Sequence, residues 1–180
     1  MRHLALQRST GRKSTGGSRP QRGGAITLEF ILGTPVLFLT TLAVFEFGIL
    51  LLVEQAFVTA AIEGAREGAK VGATTNAVAE TVQRIIGVHC ITFDTTGTAS
   101  GDARVIIEDG SGVISGERGN LTIDCTPNGP APSPQQIRVT VCAPVTDAAT
   151  GCTPVPDWLS GFGFSIKGKL FRVSSVANLE

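Results

Sequence analysis

The sequence predicts an α+β protein in which a long N-terminal transmembrane helix is followed by a small β-containing exported head. Three observations lead there. Residues 25–53, AITLEFILGTPVLFLTTLAVFEFGILLLV, form the only long apolar run of the chain. Charge is segregated around that run. Arg2, Arg8, Arg12, Lys13, Arg19 and Arg22 precede it with no acidic side chain among residues 1–24, although the whole chain balances 15 basic against 15 acidic groups. After His89 the texture changes to short β-prone stretches broken by turn residues. The basic flank is expected to stay cytoplasmic while the acidic remainder is exported. The organisation expected is therefore a basic leader over 1–24, a hydrophobic helix with a helical extension over 25–90, and a β-rich head over 91–180.

The leader is polar and rich in Gly and Ser, a composition expected to be disordered. It is too short for a nucleic-acid-binding domain, so no nucleic-acid partner is expected. From Phe30 to Val53 the apolar run covers about 36 Å as a helix, enough to cross a bilayer with some tilt. Two carboxylates mark it. Glu29 falls at the cytoplasmic edge, and Glu46 follows roughly 25 Å further along a helix, near the outer interface. An acidic group at that depth is costly and calls for an explanation. Snorkelling toward water and a specific partner are both open for Glu46.

Helical character extends through residues 54–88. Ala56, Ala60, Gly64, Gly68 and Gly72 recur every four residues and align as a slowly drifting stripe of small side chains. Such a stripe allows a second helix to approach closely. It also weakens the helix, because each interior Gly costs about 1 kcal/mol relative to Ala. Glu63 with Arg66 and Glu67 with Lys70 are spaced for i,i+3 pairing.

In the head, residues 91–95, 103–109, 120–124 and 136–145 are expected strands. Glu108 to Gly112 is a hairpin turn between VII and VIS, and residues 126–135 form a Pro-rich loop. The alternation of Phe162, Phe164 and Ile166 with Gly163, Ser165 and Lys167 suggests a last strand or two. A head of about 90 residues is small for an independent core, and Cys90, Cys125, Cys142 and Cys152 all lie on its side of the membrane. Disulfides formed in an oxidising compartment are expected. Four cysteines allow three connectivities. Cys142 and Cys152, close in sequence and flanking a Pro/Gly/Thr-rich loop, are the expected pair, with Cys90 and Cys125 as the other.

Catalytic and metal chemistry find no support. Gly11-Arg12-Lys13-Ser14 has Arg12 where a P-loop needs Gly, and no strand precedes it. His3 and His89 fall on opposite sides of the membrane in this reading. No C-x-x-C occurs, and no nucleophile–base arrangement can be assembled. Asn120-Leu121-Thr122 fits a glycosylation sequon, a triplet common by chance. The chain is read as a non-enzyme, with no catalytic residue, no metal ligand and no cofactor.

The junction of leader and helix, Gly24-Ala25-Ile26-Thr27-Leu28-Glu29-Phe30, resembles the processing site of type IV prepilins. That resemblance implies cleavage between Gly24 and Ala25 by a prepilin peptidase. Glu29 then becomes the fifth residue of the mature chain, placed to pair with the new α-amino group of a neighbouring subunit. Glu29-Phe30, Pro35, Glu46-Phe47-Gly48 and Ala65-Arg66-Glu67-Gly68-Ala69 together resemble the TadE-like family of minor pseudopilins of the tight-adherence pilus system, over roughly residues 23–73. The ending Ser174-Ser175-Val176 also fits how such proteins look. The resemblance implies a structural role in pilus assembly and surface attachment. It also implies an inner-membrane location, with other pilin-type subunits and the pilus assembly platform as partners. Two other readings stand beside it. One is a secreted protein cleaved after Ala60 of Val58-Thr59-Ala60, and the other is a permanently anchored binding domain that keeps its leader.

Overall fold

The computed structural model describes residues 23–98, 100–111, 115–146, 151 and 153–180. Helix α1 runs Gly23–Gly68 and α2 runs Thr75–Ile86, followed by a 3-10 turn at Gly87–His89. The strands are β1 Arg104–Asp109, β2 Gly116–Gly119, β3 Gln136–Pro144 and β4 Leu170–Asn178, with a second 3-10 turn at Trp158–Phe162 between β3 and β4. The result is a long apolar helix followed by a small four-stranded antiparallel sheet, as the sequence predicts. The expected leader, apart from Gly23 and Gly24, lies outside the described residues.

The chain divides between Phe38 and Leu39 into two compact units. In the first, Leu28, Phe30, Ile31, Leu32, Val36, Leu37 and Phe38 are all exposed. Pro35 lies inside the helix, and the Thr34 hydroxyl donates to the Phe30 carbonyl at 2.7 Å. That bond lets the hydroxyl sit in an apolar setting without an unmet donor.

The second unit is built on the C-terminal part of α1. Val53, Phe57, Ala60, Ala61, Ala65 and Ala69 are buried on one stripe at the i, i+4, i+7 spacing of an amphipathic helix. Val78, Ala79, Val82 and Ile86 of α2 join them. Thr74 caps α2 by accepting the Ala77 N–H. Gly72, at φ +76°, makes the turn between the helices, a conformation that glycine adopts without cost.

The sheet has the order β2-β1-β3-β4. Val105 lies opposite Val141 and Ile107 opposite Val139, while Val141 lies opposite Val173 and Ala143 opposite Phe171. These odd-numbered side chains share one core with the two helices, as the period-two alternation of a strand requires. Phe57 and Phe171 stack with ring centroids 5.0 Å apart. The even-numbered face is covered by the segment after β2. Ile106, Cys125 and Cys142 form a small second cluster there, with Ile123 packed on it. This double cover explains why β3 is buried almost continuously.

Arg138 holds the Pro-rich loop onto that second face. Its guanidinium pairs with Glu108 and donates to the carbonyls of Asn128, Gly129 and Pro130. Arg104 acts likewise, pairing with Glu117 and donating to the Ile123 carbonyl at 2.9 Å. The buried Arg138 cation is tolerated because Nε and both terminal nitrogens of its planar fork each meet an acceptor, whereas the half-buried Arg104 leaves its Nε unpartnered among the described residues.

Four expectations are corrected. Residues 91–95 make only an isolated bridge, Phe93 to Gly101, because the Gln83 side chain occupies the main chain there: it donates to Ile91 O and accepts from Phe93 N. Residues 120–124 are a turn, because the Asn120 side chain accepts the Thr122 N–H and hydroxyl; such an Asx turn competes with strand pairing. Residues 162–167 are not a strand. Gly163 has φ +89°, and the Asp157 carboxylate accepts from Ser165 Oγ and Ile166 N, closing a compact loop. The last strand is β4, which pairs with β3 along its whole length.

The fourth correction concerns the disulfides. Cys125 is bonded to Cys142, so the expected pairs Cys142–Cys152 and Cys90–Cys125 do not form. The register decides this. Cys142 points to the even face of β3, and the segment carrying Cys125 is drawn across that face by Arg104 and Arg138. Cys90 is also disulfide-bonded, Cys152 lies outside the described residues, and no described cysteine is free.

Candidate functional site

The sequence singles out two places on α1, its N-terminal turn and its glycine stripe. Gly24 and Ala25 lie in the first turn of α1, which begins at Gly23. Glu29 is one turn on from Ala25 and is exposed, as is Phe30 at 72%. A helix places Ala25 and Glu29 on the same face. An amino group created at Ala25 would therefore share its helix face with the Glu29 carboxylate.

Gly64 and Gly68 serve close packing inside the chain. A Cβ on Gly64 would lie 2.8 Å from Val82 Cγ2 and 3.3 Å from Val139 Cγ1. One on Gly68 would lie 2.5 Å from Ile137 Cδ1 and 3.2 Å from Val78 Cγ2. The helix that approaches the stripe is α2, and β3 closes from the same side. Gly72 is outside α1, has nothing within 4 Å of its Cβ position, and serves the turn. The surface pairs Glu63–Arg66 and Glu67–Lys70 form on the outer side of the same segment and contribute little at their exposure.

Glu46 is where the structure adds most. It is 3% exposed, and its Oε2 accepts the backbone N–H of Leu159 at 2.9 Å. Of the two open explanations, the specific partner is the one observed. The residue reasoning missed is Leu159. A buried carboxylate inside an apolar run signals that a donor must be nearby, but nothing in the run says which of more than a hundred later residues supplies it. Beside this contact Leu39, Thr40, Ala43 and Phe47 of α1 and Leu159, Phe162 and Phe164 line an apolar groove.

Elsewhere, Asp94 titrates below its ordinary value because the Thr96 N–H and hydroxyl, and then the Gly97 N–H, bond its carboxylate. It stabilises an exposed turn. Among the described residues there is no group of three or more His, Cys, Asp or Glu side chains placed to hold a metal ion.

α1 is the one helix among the described residues that is long and apolar enough to cross a membrane. Residues 24–66 match the family model of TadE-like proteins, the family that this part of the sequence resembles. No curated protein and no solved structure matches the chain.

Proposed function

We propose that the protein is a minor pseudopilin that works in tight-adherence pilus assembly and surface attachment through helix packing. The TadE-like match over residues 24–66 carries this reading, because proteins of that family take part in tight-adherence pilus systems. In this reading α1 anchors the chain in the bacterial inner membrane. The basic N-terminus is cytoplasmic and the head lies on the periplasmic or extracellular side. A prepilin peptidase removes residues 1–24, and the mature chain begins at Ala25. Partners are other pilin-type subunits and the assembly platform.

The exposed apolar surface from Leu28 to Leu52 supports the reading. Large side chains such as Phe30, Val44 and Leu51 are exposed. An apolar surface that long is stable only against lipid or against other helices. Glu29 sits at its start without a cation on the same described turn. A neighbour's α-amino group would neutralise it where water is scarce, fixing the axial register of one helix against the next.

Membrane-extracted protein should begin at Ala25 by intact mass, and Gly24→Val should leave a full-length precursor. Glu29→Ala should still be clipped and inserted, but should no longer co-isolate with pilin-type subunits. Wild-type piliation by clipped Glu29→Ala protein would remove the registry role. A wild-type chain starting at Met1 or Ala61 would overturn the processing scheme.

A further inference from the structure

We infer that the loop from Asp157 to Lys169 is a second membrane contact, seated in the outer-leaflet interface of the bilayer that α1 crosses. The inference rests on the anchoring half of the proposed function and goes beyond it.

The loop carries Trp158, Phe162 and Phe164 with 49%, 53% and 71% of their surface exposed. A thirteen-residue loop that turns three aromatic side chains outward is unusual for a surface facing only water. Its aromatics are continuous with the apolar side of α1. Phe162 and Phe164 line one wall of the groove whose other wall is Leu39, Thr40, Ala43 and Phe47. Those α1 residues belong to the apolar run that meets lipid in the proposed topology, so the loop borders the same phase.

Depth agrees with this placement. A hydrocarbon layer of about 30 Å takes roughly 20 helical residues. The apolar run ends at Val53, and Glu46, which binds the loop main chain at Leu159, precedes that end by only about 10 Å of helix. The loop main chain therefore lies toward the outer boundary, where Trp and other aromatics are enriched. Lys169 follows the aromatics, at the position from which a long cationic side chain reaches phosphate headgroups.

The main chain of the loop is prepared for low water. Leu159 N–H is taken by Glu46, Ser160 N–H by Asp157 O, Gly163 N–H by Ser160 O and Phe164 N–H by Leu159 O. Ser160 Oγ donates to Asp157 O and Ser165 Oγ to Asp157 Oδ2. Each donor met internally lowers the cost of bringing irregular backbone to a place where water is scarce. Here Glu46 supplies an acceptor that the 3-10 turn lacks, which gives the buried carboxylate its purpose.

Trp158 is the only tryptophan of the chain, so its fluorescence reports this loop alone. The full-length protein should be reconstituted into phosphatidylcholine–phosphatidylglycerol vesicles, with and without brominated acyl chains, and with iodide on both faces. Expected are vesicle flotation, a blue-shifted emission, strong quenching by bromolipid and loss of iodide quenching. Phe162→Ser with Phe164→Ser removes two rings that are more than half exposed and lie outside the buried core. It should still float and keep the Cys125–Cys142 disulfide, while its Trp158 emission moves to the red and becomes iodide-sensitive. Flotation with an iodide-quenched wild-type Trp158 would overturn the inference and leave the anchor intact. Protection from both quenchers would overturn it in favour of a protein helix in the groove. An unchanged bromolipid response in the double variant would also overturn it. Failure to float would overturn the anchor and this inference together.

Discussion

The two halves of α1 use apolar side chains in opposite ways. From Leu28 to Leu52 the helix is rich in Leu, Ile, Phe and Val, and most of these are exposed. From Val53 to Ala69 it is rich in Ala and Gly, and one stripe of it is buried. The half that is more apolar by composition is therefore the half that the fold leaves uncovered. Burial within a chain needs a partner surface as well as hydrophobicity. The small residues of the second half create that partner by letting α2 and β3 come close. The first half offers bulky side chains all round, a surface suited to lipid or to other helices.

The comparison breaks if residues of the two halves respond alike to truncation. Phe57→Ala removes a fully buried ring stacked on Phe171 and should cost about 3–5 kcal/mol. Phe45→Ala, on an exposed ring of the first half, should leave head stability unchanged. Equilibrium unfolding of the micelle-solubilised full chain, read by hydrogen exchange of β3 amides, measures both. Equal losses would mean that the head does not depend on the second half as its core.

Enlarging the glycines sharpens the contrast. Gly64→Leu must displace Val82 and Val139 and should cost about 1–3 kcal/mol by overpacking. Gly48 has nothing within 4 Å of its Cβ position, so Gly48→Leu should leave the same unfolding midpoint in place. A neutral Gly64→Leu would show that α2 is free to move away from α1.

The most local effect is expected at Glu46, in the first half. Glu46→Ala leaves the Leu159 N–H without its acceptor and should cost about 1–3 kcal/mol, confined to the loop rather than shared by the head. Glu46→Gln keeps an acceptor and should cost less. Proteolytic nicking in the 157–166 loop is the readout. An Ala variant as resistant as wild type would mean that the carboxylate does not hold the loop.

The parts of this protein that were legible in the sequence are those set by local pattern. The apolar run, the turn-punctuated β1 and β3, and the small-residue stripe each rest on periodicity or composition over a few turns. β4 was not legible, because it is an edge strand with mixed burial whose alternation is blurred by Arg172, Ser174 and Ser175. Phe162 to Ile166 alternate like a strand, yet the Asp157 carboxylate closes them into a loop. A signal of period two cannot distinguish aromatics aimed at a core from aromatics aimed away from it.

What the sequence by itself determined is a long apolar helix followed by a small β-containing head, together with the residue pattern at Gly24 to Phe30. Those features follow from side-chain chemistry read along a line. The tertiary structure alone decided the partner of Glu46, the Cys125–Cys142 bond and the use of Gly64 and Gly68 within the chain. Each of these joins residues far apart in sequence, and the register of β3 and the course of the loops around it determine which atoms meet. Many long-range pairings satisfy the same local preferences. Only the assembled sheet, with its two faces and fixed strand order, selects among them.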